Sequence, residues 1–218
     1  MKTKYTHLII LLDRSGSMEI IKDFIIEGFN KLVQDQAEVE GDCTITLVQF
    51  DDKYEVLFRL TTIKAFPKLT DKTFVPRGMT PLVPATIKLI EEEGNVLANL
   101  KEEERPEKVI FVSISDGSQN SFFLDGERSY KTSFDLKEMV DHQKTKYNWQ
   151  FIYIGANQDS EKEGDKYGVT RSATLNYQAT ERGVKAMFAK VSKSSVRYRS
   201  AVSEDALMEF TEEEQKSE

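Results

Sequence analysis

Five consecutive apolar residues, Leu8-Ile9-Ile10-Leu11-Leu12, run directly into the polar stretch Asp13-Arg14-Ser15-Gly16-Ser17. An unbroken run of this kind predicts a strand buried on both faces, as in a parallel sheet, whereas a half-wet strand alternates. Beyond it Ile21, Phe24, Ile25, Gly28, Phe29 and Leu32 recur at helical spacing and predict an amphipathic helix over residues 18 to 37. Segments 43 to 50 and 54 to 60 flank Asp51-Asp52-Lys53 and read as a hairpin, which makes one edge of the sheet antiparallel. Residues 61 to 79 contain Pro67 and Pro76, show no period and read as a connection.

A second helix is predicted over about 81 to 100. Pro81 opens it, where a missing N–H is harmless, Gly94 weakens it, and Ala85, Leu89, Val96, Leu97 and Leu100 mark its apolar side. The run Lys101-Glu102-Glu103-Glu104-Arg105 reads as a solvated helix end. A strand over 108 to 115 follows, then a long stretch from Gly117 to Ser133, and a helix marked by Leu136, Met139 and Val140. Further on come a strand over 149 to 155, a short helix from Asp159 stopped by Gly168, and a short strand from Arg171 to Tyr177. Thr180 caps a closing helix through Val184, Met187, Phe188 and Val191. Strands alternating with helices predict a doubly wound α/β fold, with a mostly parallel sheet, one antiparallel edge strand and helices on both faces. One domain over residues 1 to 200 and an acidic, flexible tail over 201 to 218 complete the expectation.

Composition narrows the function classes. The 218 residues carry 37 acidic and 30 basic side chains, a net charge of -7 that disfavours unspecific binding to nucleic acid or to an anionic membrane. No segment approaches the roughly 18 apolar residues of a membrane span. The amino-terminal apolar run is too short for a signal-peptide core, and Cys43 is the only cysteine, so the expectation is a cytoplasmic protein without an internal disulfide. Cys43 itself reads as a small buried hydrophobe.

The chemistry gathers at element ends. Asp13, Ser15 and Ser17 follow the first strand, where ligands collect in parallel sheets, and residues two apart can aim oxygens at one point if Gly16 gives the turn its freedom. Such an oxygen set suits Mg²⁺ or Mn²⁺ better than Zn²⁺, although either serine could instead simply cap the next helix. Two more segments, Arg77-Gly78-Met79-Thr80-Pro81-Leu82 and the strand ending Ser115-Asp116-Gly117, each add an oxygen at an element end.

Together Asp13, Ser15, Ser17, Thr80 and Asp116 resemble the metal-ion-dependent adhesion site of von Willebrand factor type A domains, a likeness that covers roughly residues 3 to 200. Within that superfamily the chain is most similar to small intracellular type A proteins of bacteria and their phages. Val48-Gln49-Phe50-Asp51, Val75-Pro76-Arg77-Gly78-Met79-Thr80 and the stretch from Trp149 to Asn157 carry the likeness. Where those relatives often continue with acidic residues after the second carboxylate, this chain has Ser118-Gln119-Asn120. The resemblance implies a Rossmann-like fold and an Mg²⁺ or Mn²⁺ ion bound directly by Ser15, Ser17 and Thr80, with Asp13 and Asp116 acting largely through water and hydrogen bonds. It implies a binding module whose ion accepts an acidic residue of a protein partner, and not an enzyme.

Two other readings stay open. A phosphoryl-transfer enzyme of the haloacid dehalogenase kind uses an Asp after the first strand as nucleophile and a second Asp two positions later as its acid/base partner. Ser15 holds that second position, and the loss removes a contribution of about 10²–10⁴-fold. The other is a scaffold that ignores the metal site and uses Phe122 and Phe123 or the tail. The long stretch after Asp116 is the expected rim of the metal site, with Phe122 and Phe123 as partner contacts unless they fold into the core. Phosphate-loop and serine-elbow motifs do not occur, and His7 and His142 read as structural or solvated.

Overall fold

The computed structural model describes residues 2–117, 119–156, 159–203 and 205–216, with the side chains of residues 2 and 3 left aside. Its sheet has six strands. In chain order they are β1 (Lys2–Asp13), β2 (Asp42–Phe50), β3 (Tyr54–Thr62), β4 (Pro106–Ser115), β7 (Gln150–Ala156) and β8 (Thr174–Tyr177). A two-stranded ribbon, β5 (Phe123–Leu124) and β6 (Glu127–Arg128), interrupts the numbering. The spatial order is β3-β2-β1-β4-β7-β8, parallel throughout except for the β2–β3 hairpin at one edge. This is the predicted mixed sheet, and the order reverses between β1 and β4, where an open α/β sheet offers its binding crevice.

Helices cover both faces. Helices α2 (Leu82–Asn99), α3 (Ser133–Tyr147) and α4 (Ser160–Lys166) pack on the face that carries Phe111, Ser113 and Tyr153. Helices α1 (Lys22–Glu38) and α5 (Glu181–Ser200) cover the other, where Ile110, Val112, Ile114, Ile152 and Ile154 are fully buried. Helix α1 meets α5 at Gly28, where a Cβ would stand 2.2 Å from the Phe188 ring, so the glycine is what lets the two helices approach. Among the described residues no helix is long and apolar enough to cross a membrane. Cys43 is buried in β2, and burial pushes its thiol up to about 11.

One polar network crosses this core. His7 on β1 and Glu93 on α2 are fully enclosed, with Nε2 and Oε2 3.0 Å apart, and the other ring nitrogen is 2.8 Å from the Thr44 hydroxyl. Thr46 donates to the same Glu93 oxygen at 3.1 Å. The Arg59 guanidinium of β3 lies 2.8 Å from Oε1, an ion pair too bent to count as a hydrogen bond. The histidine near the first strand is therefore a satisfied core residue.

Several boundaries move. The first predicted helix opens as a 3-10 turn over Gly16–Ile21 before α1 begins, and the last short strand is preceded by another over Arg171–Ala173. The tail departs more. Instead of a flexible segment from residue 201, Met208 and Phe210 are buried and a short helix, α6 (Glu212–Lys216), docks on α5. The physical reason is a capping box at Thr211-Glu212-Glu213-Glu214: Thr211 N–H donates to the Glu214 carboxylate at 2.9 Å and Glu214 N–H to the Thr211 hydroxyl at 3.1 Å. Arg197 then grips both Glu214 oxygens at 3.2 Å, with Lys193 at 3.3 Å.

Burial alone would raise the Glu214 carboxyl, but Arg197, the Thr211 N–H and Lys193 hold it down to about 2. A depressed carboxyl stabilises the fold above its unfolded pKa and loses that contribution as pH falls through the folded value. Glu214→Gln is therefore expected to loosen residues 205–216 at neutral pH. Hydrogen exchange should show faster exchange there alone, and the difference from wild type should vanish near pH 2.

Candidate metal centre

Asp13 ends β1 and is fully buried, level with Phe50, the last residue of β2, and one residue beyond the Leu12–Ile114 pair with β4. Its Oδ1 accepts the Ser15 N–H at 2.6 Å and its Oδ2 accepts the Ser115 hydroxyl at 2.5 Å. The Ser15 and Ser17 hydroxyls are 3.2 Å apart, and Ser17 donates to Asp116 Oδ1 at 2.7 Å. The structure thus joins Asp13, Ser15, Ser17 and Asp116 into one cluster, buried below and open above, where Ser17 is exposed.

Thr80 arrives from a different loop. Backbone bonds from Gly16 N–H to the Gly78 carbonyl (3.2 Å) and from Arg77 N–H to the Arg14 carbonyl (2.8 Å) lay its loop against the serine turn. Gly78, not Gly16, is the glycine this requires. Gly78 has φ +68° and a Cβ there would meet the Asp52 carboxylate at 2.4 Å, whereas a Cβ on Gly16 would make an ordinary 3.6 Å contact. From beyond Asp116, the Asn120 side-chain carbonyl accepts the Thr80 N–H at 2.7 Å, and the Gln119 carbonyl accepts the Val83 N–H at 2.6 Å. Residues 119 and 120 lack charge but tie the head of α2 to the end of β4. Ser118 and Asn157 lie outside the described residues.

Two residues beyond the predicted set also shape the centre. Ser115 is one, through its bond to Asp13. The other is Asp51, buried at the end of the β2–β3 hairpin, which accepts Arg14 Nε at 2.8 Å and Arg77 Nε at 3.0 Å. Arg14 also donates to Gln49 at 3.2 Å and to Glu55 at 2.5 Å, so its charge is spent away from the site. The sequence signal for Asp51 was the Val48-Gln49-Phe50-Asp51 stretch, whose partners lie far along the chain.

The donor set fits a hard cation. Among the described residues the salt bridges reach neither Asp13 nor Asp116, and no group of three or more His, Cys, Asp or Glu assembles as a metal site. With two carboxylates and three hydroxyls, every donor is oxygen, the preference of Mg²⁺ and Mn²⁺. Burial pushes Asp13 up to about 7 against the hydrogen bonds of Ser115 and Ser15, and burial raises Asp116 as well despite Ser17. A buried and a half-buried carboxylate, with no salt bridge to either among the described residues, are what a cation would relieve.

Phe122 and Phe123 are 44% and 53% exposed, so the rings are not core. They sit on a segment held beside the centre by Asn120, and by Asp125, whose N–H donates to the Asp52 carbonyl at 2.9 Å and whose carboxylate accepts the Tyr54 N–H at 3.0 Å.

No family model matches the sequence, and a search of curated proteins found no match. Solved structures do match. Proximal thread matrix protein 1 from the mussel byssus superposes with a TM-score of 0.58 at 13% identity, over 88% of this chain and 46% of that one. The vWF domain of the type V pili tip protein Mfa5 from Porphyromonas gingivalis gives 0.60 at 11% identity, over 91% of this chain and 97% of that domain. The chain has the von Willebrand factor type A fold. A von Willebrand factor type A protein from Catenulispora acidiphila agrees, with a TM-score of 0.56 at 13% identity over 88% of this chain and 42% of that one. This chain thus spans less than half of the mussel and Catenulispora chains. The mussel protein is also known with a zinc-occupied adhesion-site motif (TM-score 0.55, 13% identity, 88% of this chain and 46% of that one). Within the type A fold, the cluster described above stands at the carboxyl ends of β1 and β4.

A carboxyl whose folded pKa is raised favours the fold when protonated, so its contribution grows as pH falls from above the folded value toward the unfolded one. In chelator, the melting temperature should therefore rise between about pH 8 and pH 5 through Asp13, and Asp13→Asn should flatten that slope. Differential scanning calorimetry checks this, and equal slopes in the two proteins would contradict the burial argument.

Proposed function

We propose that the chain is a divalent-metal-dependent protein-binding module, in which Asp13, Ser15, Ser17, Thr80 and Asp116 hold Mg²⁺ or Mn²⁺ and the partner supplies an acidic residue. The observation that carries this reading is the hydrogen-bonded run Ser115–Asp13–Ser15–Ser17–Asp116 at an open sheet end, with neither carboxylate in a salt bridge among the described residues. When bound, the ion would supply an electrophilic centre for a carboxylate. The chain's own residues keep that centre electrophilic. The hydroxyls of Ser15, Ser17 and Thr80 are neutral, and Ser115 and the Ser15 N–H hold the Asp13 carboxylate in place beneath them.

The surroundings suit a protein partner. Ile20 is 82% exposed beside the serine turn and Met79 46% exposed beside Thr80, and with Phe122 and Phe123 they give the open end an apolar margin. Hydrolase chemistry lacks support. Ser15 stands where an acid/base carboxylate would be needed, His7 is locked to Glu93, and His142 packs against Tyr147 on α3, the ring centroids 5.7 Å apart. The same proposal keeps the chain in the cytoplasm, on the strength of its lone, buried thiol.

Calorimetry on metal-stripped protein is expected to show one Mg²⁺ or Mn²⁺ site that Asp13→Ala and Asp116→Ala abolish without unfolding the chain. Unchanged affinity in both variants would falsify the assignment. Phosphate esters, nucleotides and acyl esters should stay intact with Mg²⁺ present; turnover lost in Asp13→Asn would revive the phosphoryl-transfer reading.

Buried aromatic anchors at interfaces cost about 2 kcal/mol or more when truncated. Replacing Phe122 and Phe123 together by Ala should weaken capture of a metal-dependent partner from the native host while leaving metal affinity near normal. Undiminished capture would remove both rings from the interface.

A further inference from the structure

Tyr177, the last residue of β8, is 5% exposed, and its hydroxyl oxygen is enclosed without a hydrogen-bond partner among the described residues. A buried hydroxyl left unpaired has given up its hydration with no bond in return. Phenylalanine would fill nearly the same space without that cost, so packing does not account for the oxygen. An orphan of this kind marks an absent partner.

The sheet register indicates which group that is. Tyr177 pairs with Ala156 of β7, and one residue earlier Gly155 pairs with Ser115 of β4, so Asp116 stands level with Ala156 and Tyr177 across the strand ends. Alternation puts all three on the face covered by α1 and α5. Among the described residues, the strand position between Tyr177 and Asp116 is held by Ala156, whose side chain is a single methyl group. Burial pushes the phenol well above its ordinary range, and the charges of Asp116 and then Asp13 add to the push, so both carboxylates are within electrostatic reach of it.

We infer that Tyr177 is a positioning residue of the metal centre, its hydroxyl donating to Asp116 across the end of β7 when the centre is loaded. The inference rests on the metal reading above. Ser17 already fixes Asp116 Oδ1 from one side. A second donor on a rigid ring fixes the carboxylate from the other, and a hydrogen bond to a charged acceptor is about twice as strong as a neutral one. Tyr177 touches neither ion nor partner in this role and acts only through Asp116.

The test compares wild type with Tyr177→Phe in the full chain. In chelator the variant should melt at the same temperature or higher, because an unsatisfied hydroxyl has been removed. Titrated with Mn²⁺ alone, it should bind about tenfold more weakly, the size of one hydrogen bond to a charged group. Wild type should also give a tyrosine ultraviolet difference signal on Mn²⁺ addition that the variant lacks. Opposite effects on metal-free stability and metal affinity are not what a purely structural tyrosine produces. If wild type binds Mn²⁺ and Tyr177→Phe binds it equally well, or loses affinity only because it melts lower in chelator, the inference is overturned while the metal reading stands. Wild type that binds no Mn²⁺ overturns both.

Discussion

The Asp51 carboxylate receives two guanidinium groups, Arg14 from the turn after β1 and Arg77 from the loop before α2, while its own chain closes the β2–β3 hairpin. Three segments distant in sequence are thereby fixed to one enclosed charge. Removing one partner of such a buried pair costs about 3–5 kcal/mol, because the other charge stays enclosed. The serine turn and the Thr80 loop, which share the Gly16–Gly78 backbone bond, inherit their relative placement from this point.

The same economy of charge explains why the centre is poised for a cation. Arg14 immediately follows Asp13, yet its guanidinium is held by Asp51, Gln49 and Glu55. The carboxylate beside it is left to hydroxyls and one N–H, which orient it without neutralising it. Had Arg14 turned inward, it would have satisfied Asp13 and closed the site to any ion.

Much of this was legible because it is local or periodic. Residues 8 to 12 read as a doubly buried strand, and the hairpin, the closing helix and the Thr180 cap follow from spacing and turn chemistry. The oxygen-bearing positions were legible because they fall at element ends, where a type A resemblance could be read residue by residue. Distant pairing was hidden. Nothing in the order of residues says that Asp51 meets Arg77 or that Gln119 caps α2. In the docked tail Thr211 to Glu214 spells a capping box, a four-residue signal set in an acidic, largely polar segment.

The His7–Glu93 network has a consequence for how the chain finds its fold. Strand β1 is apolar on both faces from Leu8 to Leu12, so hydrophobicity alone hardly distinguishes the native alignment of its neighbours from one shifted by a single residue. A shift would carry His7 to the opposite face, take the ring from Glu93 Oε2, and separate it from Thr44 and Thr46. The polar cluster therefore penalises slipped pairings that the surrounding leucines and isoleucines would tolerate, and makes the correct alignment of the first strand the one in which the enclosed imidazole meets its partners.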